Sequence, residues 1–309
     1  MAISQIEQPV ARIEQHRAPA ESTPELTAPA KGAGSPRRRW PRRVLLVVSV
    51  VVVVVLGVSA YFFTAYQWRT HPGAKTVSSA LHSFHGSGSS GDPGVSAFGV
   101  PQAGVYTMQG EGSGHISAPP NSQVDGSVMP VTVTHLASGC WSWRVDFNVA
   151  HWEDYVFCPS ASGLLEPSNR NFQAWDFGAL SVTNLATVTC PEHTLVMARE
   201  PKPGMVTSWA CPERNTATGP GVSYTTGRVV GPRTLSVGGV PVLTVEQQQT
   251  GTLSGTQSGT VTSEWWFNAA TGMPIRVERH IVVHSASPIG TITYTEDGSG
   301  QLASVFPRT

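Results

Sequence analysis

From Phe98 onward, apolar residues recur at every second position. Trp141, Trp143, Val145, Phe147 and Val149 alternate with Ser142, Arg144, Asp146 and Asn148, and Val131 and Val133 with Thr132 and Thr134. Ile275, Val277, Ile281 and Val283 share one face with Arg279 among them, while Arg276, Glu278, His280 and His284 take the other. Ile292 and Tyr294 alternate with Thr291, Thr293 and Thr295. Period-two alternation predicts strands with one face on a core and the other toward solvent or a cavity. Leu235–Val245 and Thr256–Asn268 are two further strand candidates, and the turn NAATGMP before Ile275 has Gly272 available for positive φ and Pro274 to end it. Residues 191–227, with many Pro, Gly and Thr, are expected to hold long loops. The expected fold is mainly β, an antiparallel half-barrel or sandwich.

One segment has a different pattern. Val44 to Tyr66 is an apolar run interrupted by only Ser49, Ser59 and Thr64 as polar residues. Roughly 20 apolar residues cross a bilayer core as a helix, and in lipid the need to pair every backbone group overrides the poor helix propensity of Val. Arg37, Arg38, Arg39, Arg42 and Arg43 precede the run, and Tyr61, Phe62, Phe63, Tyr66 and Trp68 form an aromatic belt at its far end. The positive-inside rule then places residues 1–43 in the cytoplasm and the remainder outside. A cleaved signal peptide is the rival, with Val58-Ser59-Ala60 as a small-residue site and Arg42-Arg43 faintly like a twin-arginine signal. The long preceding region and the continuation of the apolar run argue against it. A lipid-attached amino terminus is not expected, because the first cysteine is Cys140.

The expected organisation is a disordered cytoplasmic tail at 1–43, a transmembrane helix at 44–66, a Gly/Ser-rich tether at 67–97 and an extracytoplasmic β-rich domain at 98–309. Charge agrees with this division: Lys and Arg exceed Glu in the tail, whereas Asp and Glu are in excess beyond it, although the whole chain is neutral. Such asymmetry suits parts lying in different compartments, and the distal region is not basic enough to suggest nucleic acid as a partner. The plasma membrane, single-pass, is the expected location, with membrane lipid contacted through the anchor and a lipid or envelope protein as partner.

All 4 cysteines lie beyond the apolar run. In an oxidising compartment an even number reads as a disulfide framework. Of three pairings, Cys140–Cys158 and Cys190–Cys211 are favoured because each closes a short loop that neighbouring strands can span. A tetra-cysteine zinc site lacks any C-x-x-C spacing. No cofactor is expected, since no phosphate-binding Gly-rich loop or dinucleotide fingerprint is present, nor is there an H-E-x-x-H motif. His280 and His284 would lie about 13 Å apart along a strand, too far to share one zinc. The tether histidines His71, His82 and His85 read as solvated. Glu296-Asp297-Gly298-Ser299-Gly300 lacks the strand-to-helix setting of a nucleophile elbow. Asp146, Glu153, Asp154 and Asp176 lie among aromatics and could include a carboxylate pair. No catalytic residue is assigned.

Six tryptophans, at 141, 143, 152, 175, 265 and 266, fall in expected strands. Trp265 and Trp266 are adjacent and so point to opposite faces of a strand, one into a core and the other toward a groove or partner. With Phe267 they are the candidate ligand-binding residues. The blocks GCWSWRVDF, HWEDYVFC, FQAWDFG and EWWFNAATGMPIRVERH resemble an uncharacterised actinobacterial family with an N-terminal anchor and a secreted domain. WWFNAATGMPIRVE is also similar to the strand–turn–strand of LolA/LppX-type half-barrels, and that resemblance implies a curved sheet sheltering acyl chains. The functional expectation is an extracytoplasmic domain that carries or senses an apolar envelope molecule. A pocketless structural or protein-interaction module is the alternative, and a cell-wall hydrolase the third.

Overall fold

The computed structural model describes residues 42–69, 72–86 and 99–309, except Ser138, Ala179 and Ile289. The expected tail and the Gly/Ser core of the tether fall outside them. Helix α1 (Arg42–Arg69) covers the expected span, and its described side chains, at 47 and 49–61, are all exposed. That stretch is shorter than a bilayer requires, and among the described residues no helix is long and apolar enough to cross a membrane. A second helix, α2 (Val77–Gly86), occupies part of the range read as tether. Thr76 caps it, its Oγ1 accepting from Ser79 N at 3.1 Å. Ala80 is buried, and α2 packs on the strands that begin the β domain.

The rest of the described chain is one antiparallel sheet. Its strands are β1 (Gly104–Ser117), β2 (Pro120–Val124), β3 (Val128–His135), β4 (Trp141–Asn148), β5 (His151–Pro159), β6 (Gly163–Asp176) and β7 (Ser181–Thr189). They continue with β8 (Leu195–Ala198), β9 (Val206–Asn215), β10 (Gly219–Val237), β11 (Val240–Gly255), β12 (Gln257–Asn268), β13 (Pro274–Ser287) and β14 (Gly290–Leu302). Neighbours follow the chain from β3 to β7 and from β9 to β14, while β2 pairs only with β1 and β8 only with β6. β1 also pairs with β14, from Met108 opposite Leu302 to Ile116 opposite Tyr294, and this closes twelve strands into a barrel. Closure corrects the expected half-barrel or sandwich. A ring gives the inward face a lumen of its own, and its shortest junction is β7–β9, paired only over Ala186–Val188 and Glu213–Asn215.

The closing seam is built on glycine. Gly110 faces Gly300 and Gly112 faces Gly298 across it. A Cβ on Gly110 would sit 2.0 Å from the Ser299 carbonyl oxygen, and one on Gly300 would sit 2.5 Å from Met108 Sδ. The Gly-rich runs in β1 and β14 lack side-chain alternation because the strands meet there too closely for side chains.

Two local expectations change. Leu235–Val245 is a hairpin, not one strand: β10 ends at Val237, and Gly238 and Gly239 turn with φ of 58° and 82° into β11. Consecutive positive φ values suit a two-residue hairpin turn of glycines. Residues 191–227 hold β8, β9 and the start of β10 rather than only loops. Pro212 is accommodated in β9 because β7 pairs only with Glu213–Asn215, leaving the strand edge open at that point. The NAATGMP turn is held by Asn268 Oδ1, which accepts from Ala270 N and Thr271 N at 2.8 and 3.1 Å, and Gly272 has φ 73°.

The inward residues at one end of the barrel form the core. Trp141, Phe157, Leu164, Met197, Phe267 and Ile275 are there fully or almost fully buried. Disulfides join Cys140 to Cys158, next to the Trp141–Phe157 pair, and Cys190, just past the end of β7, to Cys211 in the middle of β9.

Candidate functional site

Strand β13 passes from the packed end into open space. Ile275 and Val277 belong to the core, whereas Arg279, Ile281, Val283 and Ser285 on the same inward face line a cavity of about 520 Å³. Arg279 stands at the divide, its side chain 7% exposed. It forms ion pairs with Glu153 on β5 and with Glu296 on β14. Its guanidinium carbon lies 4.2 Å from the centre of the Phe147 ring below. Burial opposes the charge on Arg279, but the two carboxylates outweigh that and hold its proton more firmly than usual.

The carboxylates are tied down in turn. Glu153 accepts from Asn171 Nδ2 at 2.6 Å and from the Tyr155 hydroxyl at 3.0 Å. Tyr294 donates to Glu296 and accepts from Gln173 Nε2 at 2.7 Å. Burial, reinforced by the adjacent carboxylates, pushes both tyrosines up, so each stays a neutral donor. Below this layer, burial pushes Asp125 up to about 7, with Glu296 adding to the effect, and pushes His151 down to about 3. The 4.0 Å approach of His151 Nδ1 to Asp125 Oδ1 therefore involves a neutral imidazole.

The walls of the cavity mix aromatic, aliphatic and acidic groups. Tyr155, Trp175, Trp209 and Trp265 face the cavity with Val188 and Val261, as does the Cys190–Cys211 disulfide. Glu166 is buried, accepts from Asn169 Nδ2 at 2.7 Å, and is pushed up to about 7 by burial. Glu213 accepts from Asn215 Nδ2 at 2.5 Å and is likewise raised by burial. The cavity reaches the surface at the β9–β10 and β13–β14 turns, where exposed Ala217, Ala286 and Pro288 line it.

Of the candidate ligand residues, Trp265 and Phe267 face this lumen, stacked with ring centres 5.8 Å apart. Trp265 Nε1 donates to Ser263 Oγ at 2.8 Å. Trp266 projects to the outer face, where Arg276 covers it at 4.7 Å, so it takes no part in the cavity. Strand alternation separates it from its neighbours. His280 and His284 are also outward and exposed, bonded to Asp297 Oδ1 at 2.6 Å and to Thr293 Oγ1 at 3.0 Å. Asp146 is held by Lys75 and Arg144, and Asp154 by Arg170. Among the described residues no cluster of His, Cys, Asp and Glu is arranged to hold a metal ion.

Glu153 is the one member of the four-carboxylate group that enters the lumen, and its partner carboxylate is Glu296. The sequence reading missed Glu166, Trp209 and Glu213. A signal existed for Arg279, a lone cation in register with Ile275–Val283. Glu166 precedes Pro167, and Trp209 and Glu213 lie in the Pro- and Thr-rich stretch, so no alternation marked them.

No family model and no curated protein matches the chain. Among solved structures it is similar to the hypothetical lipoprotein YmcC from Escherichia coli, at 13% identity and a TM-score of 0.32, over 66% of this chain and 85% of that one. It is also similar to a lipoprotein candidate from Parabacteroides distasonis, at 8% identity and a TM-score of 0.30, over 68% of this chain and 97% of that one. At those values the likeness assigns neither a ligand nor an activity.

Proposed function

We propose that this chain is a membrane-anchored, extracytoplasmic β-barrel that holds a small apolar-bodied molecule of the envelope in its lumen, as carrier or sensor. The observation that carries the reading is the cavity of about 520 Å³, which opens at one end of an otherwise packed barrel and is walled by Trp, Tyr, Phe and Val. Binding pockets commonly span about 300–1,000 Å³ with mostly apolar walls and a few placed polar groups. The two disulfides support an oxidising location, outside the cytoplasm. The Arg cluster before the Val-rich run supports the anchor and its orientation. So do the exposed Val47 and Val50–Val55 of α1, apolar side chains without a protein core around them.

The experiment titrates the full chain, in phosphatidylcholine nanodiscs, with the neutral apolar fluorophore N-phenyl-1-naphthylamine, using empty nanodiscs as the blank. One saturable site that quenches tryptophan emission is expected. Val261→Trp, which places an indole into the lumen beside Gly251, should abolish it. Saturable binding that survives Val261→Trp, or no binding beyond the blank, would favour an interaction module without a ligand site.

A further inference from the structure

We infer that the lumen recognises a ligand with a cationic amine head on its apolar body; this deepens the ligand-binding reading above and rests on it. Four carboxylates line the cavity, those of Glu153, Glu166, Glu213 and Glu296, against one cationic side chain, Arg279. Arg279 is already shared between Glu153 and Glu296. Glu166 and Glu213 therefore face the lumen without a counter-charge.

Their hydrogen bonding points the same way. Glu166 is 8% exposed, and one of its oxygens accepts from Asn169 Nδ2 while the other meets no donor among the described residues. Glu213, half-buried, accepts from Asn215 in the same way. A carboxylate with one oxygen open to a half-enclosed lumen is satisfied best by a charged donor arriving there. Burial has pushed Glu166 up to about 7, and an ammonium beside it would reverse that.

The aromatic lining supplies the second half of the recognition. Tyr155, Trp175, Trp209 and Trp265 surround the same space, and aromatic faces attract organic cations strongly when both are removed from water. A fatty carboxylate would meet the reverse arrangement, with two uncompensated carboxylates and an arginine already engaged. A neutral chain would satisfy the walls and leave the carboxylates without a counter-charge.

Three probes with one tail separate these cases: hexylammonium, hexanol and hexanoate, each competing with N-phenyl-1-naphthylamine on the full chain in nanodiscs. The ammonium should bind about tenfold more tightly than hexanol, the scale of one desolvated cation–π contact or paired charge, and hexanoate more weakly than either. Glu166→Gln with Glu213→Gln should remove most of the ammonium's advantage and leave hexanol unchanged, which also reports an intact lumen. Equal affinities, or hexanol or hexanoate binding tightest, would overturn the cationic head and leave the apolar lumen standing. Failure of all three to displace the fluorophore would overturn the head-group inference. Failure of the fluorophore itself to bind would remove both readings.

Discussion

Ile275 and Ile281 sit on one strand, six positions apart, pointing into the same barrel. Ile275 is fully buried in a core of Trp, Phe, Met and Leu side chains, whereas Ile281 is partly exposed on the wall of a cavity. Backbone pairing runs from Arg276 past Ile281 with β12 on one side and β14 on the other, and Ile275 sits at a bulge opposite Trp266 and Phe267 of β12. The difference lies in what the opposing strands send inward. At the packed end they send Trp141, Leu164 and Met197; at the open end they send Ala186, Val188, Gly251 and Ser223. A closed sheet fixes the lumen's width but not its filling, so strand pairing can carry the fold while one half of the interior is left for something else. Arg279 and its two carboxylates form the floor between the halves.

The sharpest break of this comparison is at the floor. Replacing Arg279 by Met leaves Glu153 and Glu296 buried without their cation, and should destabilise the barrel by about 3–5 kcal/mol in chemical denaturation. Adding Glu153→Gln and Glu296→Gln should recover most of it, because the penalty comes from unpaired buried charge. Failure of the triple variant to recover would mean that the network's geometry, not its charge balance, holds the floor.

The isoleucine pair measures the two halves directly. Ile275→Ala should cost about 2–5 kcal/mol by loss of packing and creation of a cavity. Ile281→Ala removes the same atoms where a cavity already exists, and should cost roughly 1 kcal/mol, the transfer part alone. Equal losses would contradict the division into packed and open halves. Next in size, Cys190→Ser opens the disulfide on the lumen wall, and its loop of about twenty residues sets a loss of about 3 kcal/mol under oxidising conditions.

The last effect depends on pH. Glu166 holds its proton up to about pH 7 in the fold, against an ordinary value of 4.5. Between those values the folded chain binds more protons than the unfolded one, so the contribution of Glu166 to stability falls as pH rises from 4.5 through 7. Glu166→Gln should therefore match the parent near pH 4.5 and exceed it by on the order of 2 kcal/mol at pH 8. An unchanged difference across that range would mean that the carboxylate is better solvated than its burial indicates.

How much of this was legible in the sequence depended on whether side chains or backbone contacts shaped each strand. β4 and β13 show period two plainly, because one of their faces is packed or lines the lumen while the other carries polar side chains. β14 shows it only as far as Thr295, and the seam itself does not: Gly110, Gly112, Gly298 and Gly300 give up their side chains to close approach, so a Gly/Ser run stood where the strands close the barrel. The half-barrel expectation failed at that seam. Val237-Gly238-Gly239-Val240 carried a hairpin signal inside what looked like one strand. For the site, alternation placed Trp265 and Trp266 on opposite faces and put Arg279 among apolar neighbours, a local conflict that marked the floor. Its partners, Glu153 and Glu296, come from strands far apart in the chain, and no spacing links them.

The central claim is that the open half of the barrel holds a small molecule. Native mass spectrometry of the full chain purified from its own cells tests this most directly, with Val261→Trp alongside. A single bound mass of a few hundred daltons, released on unfolding and absent from the Val261→Trp variant, is the predicted result. A bare parent chain, or a bound mass unchanged by filling the lumen, would contradict it.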